Sequence, residues 1–599
     1  MNLATNRSEL RRLTTINNLE KLFRAAAVSQ GVNNDPINAQ ICLEPSSAEF
    51  LNSTYTLAQG HQSKNNDFRT FCSYAVPEYL ASEQDALDCV ISQEGRLQHY
   101  LDSDPAIPHH SLPTNFYRSY LDDNESNSQI LYAAARYGTS LTIRHSKDNE
   151  GTVGFISSNL RNHTIGHLFQ NLLIDLQNQG IQVVFIDAKN NRPRDNVNST
   201  IRESVYKSID LSGDLEEDRD SICKLKLKIL VSLDTQLNSY VETLLAHRLA
   251  PIQAATWGHP CTTGMPSFNA FLSSNNLETP QSSDLYTEQL FKSDNIFCTL
   301  NSSKKVTPFT RASLGIPEDA NLYGCLQTLY KVHPLMDQVF KDILSGDPKA
   351  LICLIANPPR LAKHISYRLL QSMGPMHNRV LFFSPTSPVN YRRLAAAMNV
   401  SIDSQPFGGG FTTIESLSAN VPVVTCDGTN LKSRISSTIA KEMDWQHMVV
   451  PQISDLSGAA IKSATGRGKD DSYRIEGIQE LQFANIIRLL LRSDPDDLRP
   501  RHRLNPNEKI SSPKTDFSQS PISEPLIRGF LEVRKTEFAL AANNCGLESP
   551  AKGRSLRFLQ LFCSKLSDSE TISLFKNPQK HNVQCSPKLF SKILNGHAL

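Results

Sequence analysis

The sequence predicts an α/β protein built around two doubly wound parallel-sheet domains, and three observations carry that prediction. Short β-branched apolar runs alternate with helical patterns from Val153 to Met448, which is how strand–helix units of a parallel sheet read. The runs fall into two groups separated by a Pro/Ser/Thr-rich interval. The length of 599 residues is several times that of an ordinary domain, so two or three separate cores are expected.

The first group comprises TVGFISS (152–158), IQVVFIDA (181–188), LKILVSL (227–233) and IQAATW (252–257). The second comprises NLYGCLQ (321–327), ALICLIA (350–356), RVLFFS (379–384), VSIDS (400–404) and VPVVTC (421–426). Between them TPQSSD and NSSKKVTPFT gather Pro, Ser and Thr within residues 280–320, so a hinge is expected there, dividing residues 151–300 from 301–455. The flanks read differently. Residues 1–150 hold helical stretches (LEKLFRAAA, SNSQILYAAARYG) between polar segments, with no tetratricopeptide period. Residues 456–540 read as linker and closing helices, from SGAAIKSATGRGKDDS to EPLIRGFLEVRKTEF, and residues 541–599 as a tail.

Lys and Arg number 61 against 60 Asp and Glu, so no global field draws the chain to nucleic acid or to an anionic membrane. No apolar run approaches the roughly 20 residues that cross a bilayer, and the start MNLATNRSELRRL lacks the apolar stretch of a secretory signal. A soluble, cytoplasmic protein is expected. Arg7, Arg11 and Arg12 among Ser and Thr would suit a transit peptide, and Glu9 and Glu20 count against one. The 12 cysteines are scattered singly without a C-x-x-C pair, which reads as reduced thiols.

Four segments carry chemistry. In IDSQPFGGGFTTIESLSANVPVVT (402–425), Gly408, Gly409 and Gly410 would permit positive φ and close approach of a ligand, and Phe411, Thr412 and Thr413 open a helix whose free N–H groups attract phosphate. Glu415, about a turn further on, is placed to accept hydrogen bonds from a ribose diol. A tight strand-to-helix turn with an early Glu explains the same residues without a ligand. In QTLYKVHP (327–334), Lys331 leaves the carboxyl end of a strand, where open α/β sheets bind ligands; a solvated surface lysine is the alternative.

SSNLRNHTIGHL (157–168) sets His163 and His167 four apart near a helix start, with no H-E-x-x-H pattern and no third ligand. No metal site is predicted, and structural histidines account for the spacing. RLAPIQAATWGHPCTTGMPS (248–267) lines a strand end with His259, Thr262, Thr263 and Gly264, which a buried turn explains equally well. Walker A and G-x-G-x-x-G patterns are absent, against a P-loop or NAD enzyme. The D-x-D pairs Asp102/Asp104, Asp218/Asp220 and Asp494/Asp496 follow no candidate strand and read as solvated charges.

Taken in order, these segments resemble the catalytic region of the protein O-GlcNAc transferase and SPINDLY family, glycosyltransferase family 41, over about 300 residues. GFISSNLRNH resembles the family's G-[YF]-[IV]-S-S-x-x-x-x-H and ends on His163. RLAPIQAATWGHPCTTG resembles R-x-A-P-I-Q-x-x-W-x-G-[YH]-P-x-T-[ST]-G, with His259 at the variable position. LYKVHP places the donor-phosphate lysine on Lys331, and the D-x-x-P-x-x-G-x-[TF]-T-x-x-E-[SA]-L loop falls on Asp403 to Leu417 with Glu415 as the ribose carboxylate. FSPTSPVNYRRLAAAMNVSID (383–403) resembles the base-binding segment and points to Pro388, Tyr391 and Arg393. LRPRHRLNPNEKISSP (498–513) is similar to the family's closing region.

The resemblance implies a GT-B fold, two Rossmann-like domains facing a cleft. It also implies metal-free transfer of a sugar, GlcNAc first among the choices, from a UDP- or GDP-sugar to an acceptor hydroxyl, with protein Ser or Thr the leading acceptor and no cofactor. His163 and Lys331 would be catalytic, His163 as base or positioning group. Gly409, Gly410, Phe411, Thr412, Thr413 and Glu415 would hold the donor. His259, Thr262, Thr263 and Gly264 would face the acceptor. Lys228 and the Asp234–Leu237 turn (DTQL) depart from the family pattern, which removes one expected acceptor-side contact. A glycan or small-molecule transferase, and a silent scaffold of the same fold, are the alternatives.

Overall fold

The computed structural model describes residues 141–145, 151–188, 193–299, 306–357, 359–466 and 481–498, with Gln129, Tyr132, Ala133, Ala134 and Tyr137 of a preceding helical stretch. The expectations for most of residues 1–150, for the closing segment beyond Leu498 and for the tail lie outside the described residues.

Two parallel sheets organise the chain. The first contains β1 (Val153–Ser157), β2 (Val183–Asp187), β3 (Lys207–Asp210), β4 (Ile229–Ser232), β5 (Ile252–Thr256), β6 (Ala270–Ser274) and β7 (Gln289–Ser293) in the order 3-2-1-4-5-6-7. It carries α1 (Thr164–Asn178), α2 (Asn196–Ser204), α3 (Leu215–Cys223) and α4 (Ser239–Leu244). The second contains β8 (Asn321–Cys325), β9 (Ala350–Ile355), β10 (Val380–Phe383), β11 (Val400–Ile402), β12 (Val423–Cys426) and β13 (Val449–Val450) in the order 10-9-8-11-12-13. Its helices are α5 (Leu335–Gly346), α6 (Pro359–Met373), α7 (Pro388–Ala396), α8 (Phe411–Ser418), α9 (Leu431–Glu442) and α10 (Leu456–Thr465), followed by α11 (Leu481–Arg492). Every strand pair is parallel. In both sheets the chain winds outward and then crosses back past its first strand, so switch points lie between β1 and β4 and between β8 and β11, where open α/β sheets form their ligand crevice.

All nine strands expected from the apolar runs are present. They were legible because helices cover both sheet faces, which makes a strand a continuous apolar run; β1, β2, β4 and β5 are buried at every residue. The additional strands β3, β7 and β13 are edges with half-exposed residues, and β6 has only Ala270, Phe271 and Leu272 before its serines. Two boundaries also move. TPQSSD precedes β7, which pairs with β6 in the first sheet, and Phe309 already packs in a second-half core, so the crossover falls between Thr299 and Phe309. Leu456, expected to begin a linker, instead begins α10, which buries Leu456, Ala460 and Ala464 in the core of the second sheet.

The halves share apolar packing. Ile414, Leu417, Leu431, Ile435, Ile439 and Trp445 of the second half are buried in one cluster with the first-half core. Polar ties fix the same surface: Arg434 Nε donates to the Leu277 carbonyl at 3.1 Å, Thr438 Oγ1 to the Asn276 carbonyl at 2.8 Å, and Glu442 accepts from Ile296 N at 2.9 Å. Helix α11 returns to the first half, with Phe483 against Phe297 at 4.3 Å between ring centres. Among the described residues no helix is long and apolar enough to cross a membrane, and Cys261, Cys298, Cys325, Cys353 and Cys426 are buried and not in disulfides.

Candidate active site

The loops that leave β8 and β11 build one side of the site. After β8 the chain makes a 3-10 turn, Leu329–Lys331. It sends Lys331 Nζ to the Gly408 carbonyl at 2.7 Å, with the ammonium 4.1 Å from the centre of the Phe407 ring. Burial lowers the Lys331 pKa to about 8, and Asp403 opposes the shift. A neutral carbonyl is a weak partner for a buried cation, so a phosphate oxygen arriving here would bind more strongly.

Asp403 shapes the glycine loop. Its Oδ1 accepts from Gly409 N at 2.7 Å and its Oδ2 from Thr425 Oγ1 at 2.8 Å. The expected positive φ is not found at Gly408, Gly409 or Gly410. The requirement is room instead: a Cβ on Gly409 would lie 2.7 Å from Gln327 Nε2 and Thr412 Oγ1 and 2.8 Å from Thr413 Oγ1. Those groups are already paired, Gln327 Nε2 donating to Thr412 Oγ1 at 2.8 Å and Thr413 Oγ1 bonding Ser436 Oγ at 2.9 Å. Phe411 opens α8 behind Gly410, with no side-chain cap and no acidic residue in the first turn. The positive end of this helix is therefore left for an anion.

Glu415 lies further along α8, buried, with Arg392 Nη1 at 3.8 Å. Burial raises its pKa to about 7 against the pull of Arg392. Arg392 Nε is buried without a hydrogen-bond partner among the described residues, so this guanidinium has donor capacity to spare. The sequence pointed to Arg393, which the structure does not bring to the site: its Nε donates to the Thr307 carbonyl at 3.0 Å and its guanidinium covers Phe309 at 4.1 Å. Tyr391 ties α7 to the end of β8 by donating its hydroxyl to the Leu326 carbonyl at 3.1 Å. Pro388 is exposed in the first turn of α7.

On the other side His163 caps α1. Its Nδ1 accepts from Ile165 N at 3.2 Å, and burial, with help from Arg161 and His167, lowers its pKa to about 4. The loop before it folds tightly over the helix start, where a Cβ on Gly166 would sit 1.9 Å from the Arg161 carbonyl oxygen. His167 meets the opposite half: its ring stacks on Phe411 at 5.0 Å, and its Nε2 pairs with Asn162 Oδ1 at 2.9 Å. Thus the start of α1 and the start of α8, one from each half, are in contact.

The segment after β5 divides. His259 is buried and held neutral, its pKa lowered to about 3 by burial and then by Lys432 of α9 in the other half. Thr262 and Thr263 are buried and bonded to Glu288. Thr262 Oγ1 donates to Glu288 Oε2 at 2.6 Å, and both Thr263 N, at 2.8 Å, and Thr263 Oγ1 donate to Glu288 Oε1. Gly264 follows in the left-handed region, φ 67°, so this element is a buried turn that anchors Glu288. Of the two departures, Lys228 precedes β4 at its amino end, far along the strand from the crevice, whereas Asp234 follows the carboxyl end and is fully buried. Asp218, expected to be solvated, is buried and accepts from Ser212 N at 2.7 Å and Gly213 N at 2.9 Å.

Sequence reasoning missed Arg392, Gln327 and Ser436, and named Asp234 only as a departure from the family pattern. Gln327 and Arg392 carried a usable signal, Gln327 opening the segment that holds Lys331 and Arg392 standing between Tyr391 and Arg393.

The model of glycosyl transferase family 41 matches residues 129–304 and 295–476. The chain is 22% identical over 330 residues to the probable UDP-N-acetylglucosamine–peptide N-acetylglucosaminyltransferase SEC of Arabidopsis thaliana, covering 53% of this chain and 33% of that protein. It is 25% identical over 329 residues to the corresponding probable transferase SPINDLY of Solanum lycopersicum, covering 52% and 34%. The chain thus spans about a third of the length of these curated relatives. A mutant of the Thermobaculum terrenum O-GlcNAc transferase superposes with a TM-score of 0.54 at 19% identity, over 82% of this chain and 96% of that one. That likeness is one of fold, two doubly wound halves in the GT-B arrangement.

Proposed function

Because this chain belongs to glycosyl transferase family 41, we propose that it transfers N-acetylglucosamine from UDP-N-acetylglucosamine to a serine or threonine hydroxyl of a protein. The observation that carries this reading is Lys331 held on the Gly408 carbonyl at 2.7 Å beside the uncapped start of α8, at the switch point of the second sheet. The relatives, named as UDP-N-acetylglucosamine–peptide N-acetylglucosaminyltransferases, support the donor and the peptide acceptor.

In this reading the diphosphate lies on the first turn of α8, Lys331 leaves the Gly408 carbonyl for a phosphate oxygen, and Glu415 turns from Arg392 to the ribose diol. The acceptor oxygen forms the bond to the anomeric carbon while the bond to the diphosphate breaks, its electron pair leaving with UDP. Lys331 and the helix start meet the developing charge, a preorganised electrostatic stabilisation, and the reaction proceeds without a metal. His163 orients the acceptor. With Nδ1 accepting from Ile165 N, a neutral ring carries its proton on Nε2 and so donates from that side. Acting as base would require shifting that proton to Nδ1 and breaking a helix cap worth about 1 kcal/mol. The acceptor proton therefore passes to an oxygen of the departing diphosphate.

The test is incorporation of labelled N-acetylglucosamine into protein by the purified full chain, with UDP release followed in parallel and with chelator present. Transfer that survives the chelator is expected. UDP release without protein labelling would move the acceptor to another class, and loss of transfer in chelator would remove the metal-free mechanism.

The pH dependence follows from two groups. The Glu415 pKa is raised to about 7, so its carboxylate form is present only above that value. The Lys331 pKa is lowered to about 8, so its cation is present only below that value. The kcat/KM for UDP-N-acetylglucosamine, which reports free-enzyme groups, is expected to peak between them and to fall up to about tenfold per pH unit on either side. Glu415→Gln should remove the acid limb alone. A profile flat from acid to alkaline pH would show that neither group acts in its assigned charge state.

A further inference from the structure

The first sheet has a switch point of its own, between β1 and β4, and a buried carboxyl stands at it. Asp234 follows β4 and is wholly inaccessible. Its Oδ2 accepts from Asn159 Nδ2 at 2.6 Å, across the crevice from the end of β1. Its Oδ1 is buried with no hydrogen-bond partner among the described residues. Asn159 is in turn clasped by its own loop: its N donates to Ser157 Oγ at 2.8 Å, and its Oδ1 takes Arg161 Nη2 at 3.5 Å. Two residues on, His163 N donates to the Arg161 carbonyl at 2.6 Å.

The second half repeats the arrangement. Asp403 follows β11, the strand equivalent to β4 in sheet order, and holds the glycine loop by accepting from Gly409 N. There both carboxylate oxygens have partners. Each half therefore sets a buried aspartate at its switch point and uses it to hold the loop that faces the other half. Burying a carboxyl is a costly way to fix a loop, and an apolar or amide residue at 234 would avoid that cost if only packing were required.

We propose that Asp234 is a positioning residue for the acceptor side, acting through Asn159 to fix the loop from Ser157 to His163 and so the direction in which His163 Nε2 donates. The proposal rests on the transferase reading for its catalytic consequence, and on the hydrogen bond between Asn159 and Asp234 for its structural one. It also accounts for the departure of DTQL from the family pattern: the turn supplies a loop anchor in place of a side chain that would touch the acceptor.

The test uses the full chain with UDP-N-acetylglucosamine and compares Asp234→Ala, the less buried Asn159→Ala, and the exchange Asn159→Asp with Asp234→Asn, which keeps the pair and reverses its polarity. Misplacing one reacting group lowers turnover by on the order of tenfold to a hundredfold. That loss is expected in kcat for both alanine variants, with the donor KM within about twofold because the donor site lies in the other half; the exchange should recover most of it. Wild-type kcat in Asn159→Ala, a matching rise in donor KM, or an exchange variant no better than the single ones would overturn the proposal. Nitrogen NMR of the His163 ring keeps it testable if Asp234→Ala does not fold or if the donor is not turned over. A ring locked with its proton on Nε2 in the wild type and averaging between tautomers in Asn159→Ala supports the role, and an unchanged ring refutes it. Absence of turnover in the wild type would instead count against the transferase reading.

Discussion

Alanine in place of Lys331 is expected to lower sugar transfer by on the order of 100-fold to 1000-fold, the usual cost of removing one preorganised charge or donor aimed at a developing anion. Three features of the site make the effect this large. Among the described residues the ammonium is bonded on the glycine loop to the Gly408 carbonyl at 2.7 Å. Burial, which lowers its pKa to about 8, also keeps its charge from being screened by water. Arg392 lies beside Glu415, not beside Gly408, and so cannot replace it. The fold should persist, since the variant loses one hydrogen bond to a carbonyl, worth about 1 kcal/mol. UDP release and thermal unfolding measured side by side decide the matter: a folded variant with full turnover would show that the diphosphate is neutralised elsewhere, and an unfolded one would show that Lys331 mainly supports Asp403.

What the sequence could and could not disclose follows from where each residue's partner lies. The fully covered strands announced themselves as apolar runs, and the edges β3, β7 and β13 did not because half of each faces water. Lys331, the glycine loop and Glu415 were legible because they cluster at strand ends with recognisable spacing. Arg392 and Arg393 show the limit. Consecutive helical residues point about 100° apart, and only the packed face of α7 decides that Arg392 reaches Glu415 while Arg393 covers Phe309. Thr262 and Thr263 show a related limit: hydroxyls beside a strand end read as ligand contacts or as a buried turn alike, and only the fold supplies Glu288, which bonds both. Asp234 was noticed only as a departure, since burial at a switch point is a property of the assembled sheet.

The same reasoning makes Gly409→Ala the sharper test of the donor cradle. Glycine is needed there for space, not for an unusual φ, so alanine keeps the backbone conformation while forcing three neighbours aside. Its Cβ would come within 2.7 Å of Gln327 Nε2 and Thr412 Oγ1 and 2.8 Å of Thr413 Oγ1. Gln327 can swing clear, though only by abandoning Thr412, and Thr413 can rotate only by leaving Ser436. The two hydrogen bonds lost, at about 1 kcal/mol each, correspond to UDP binding weakened by roughly 30-fold. Gly410 provides the internal control, because a Cβ there meets nothing closer than Ile435 at 3.8 Å. Calorimetric titration with UDP should therefore find Gly410→Ala much nearer the wild type than Gly409→Ala. Equal losses would mean that the loop must bend on binding the donor, and no loss in Gly409→Ala would place the diphosphate away from the start of α8.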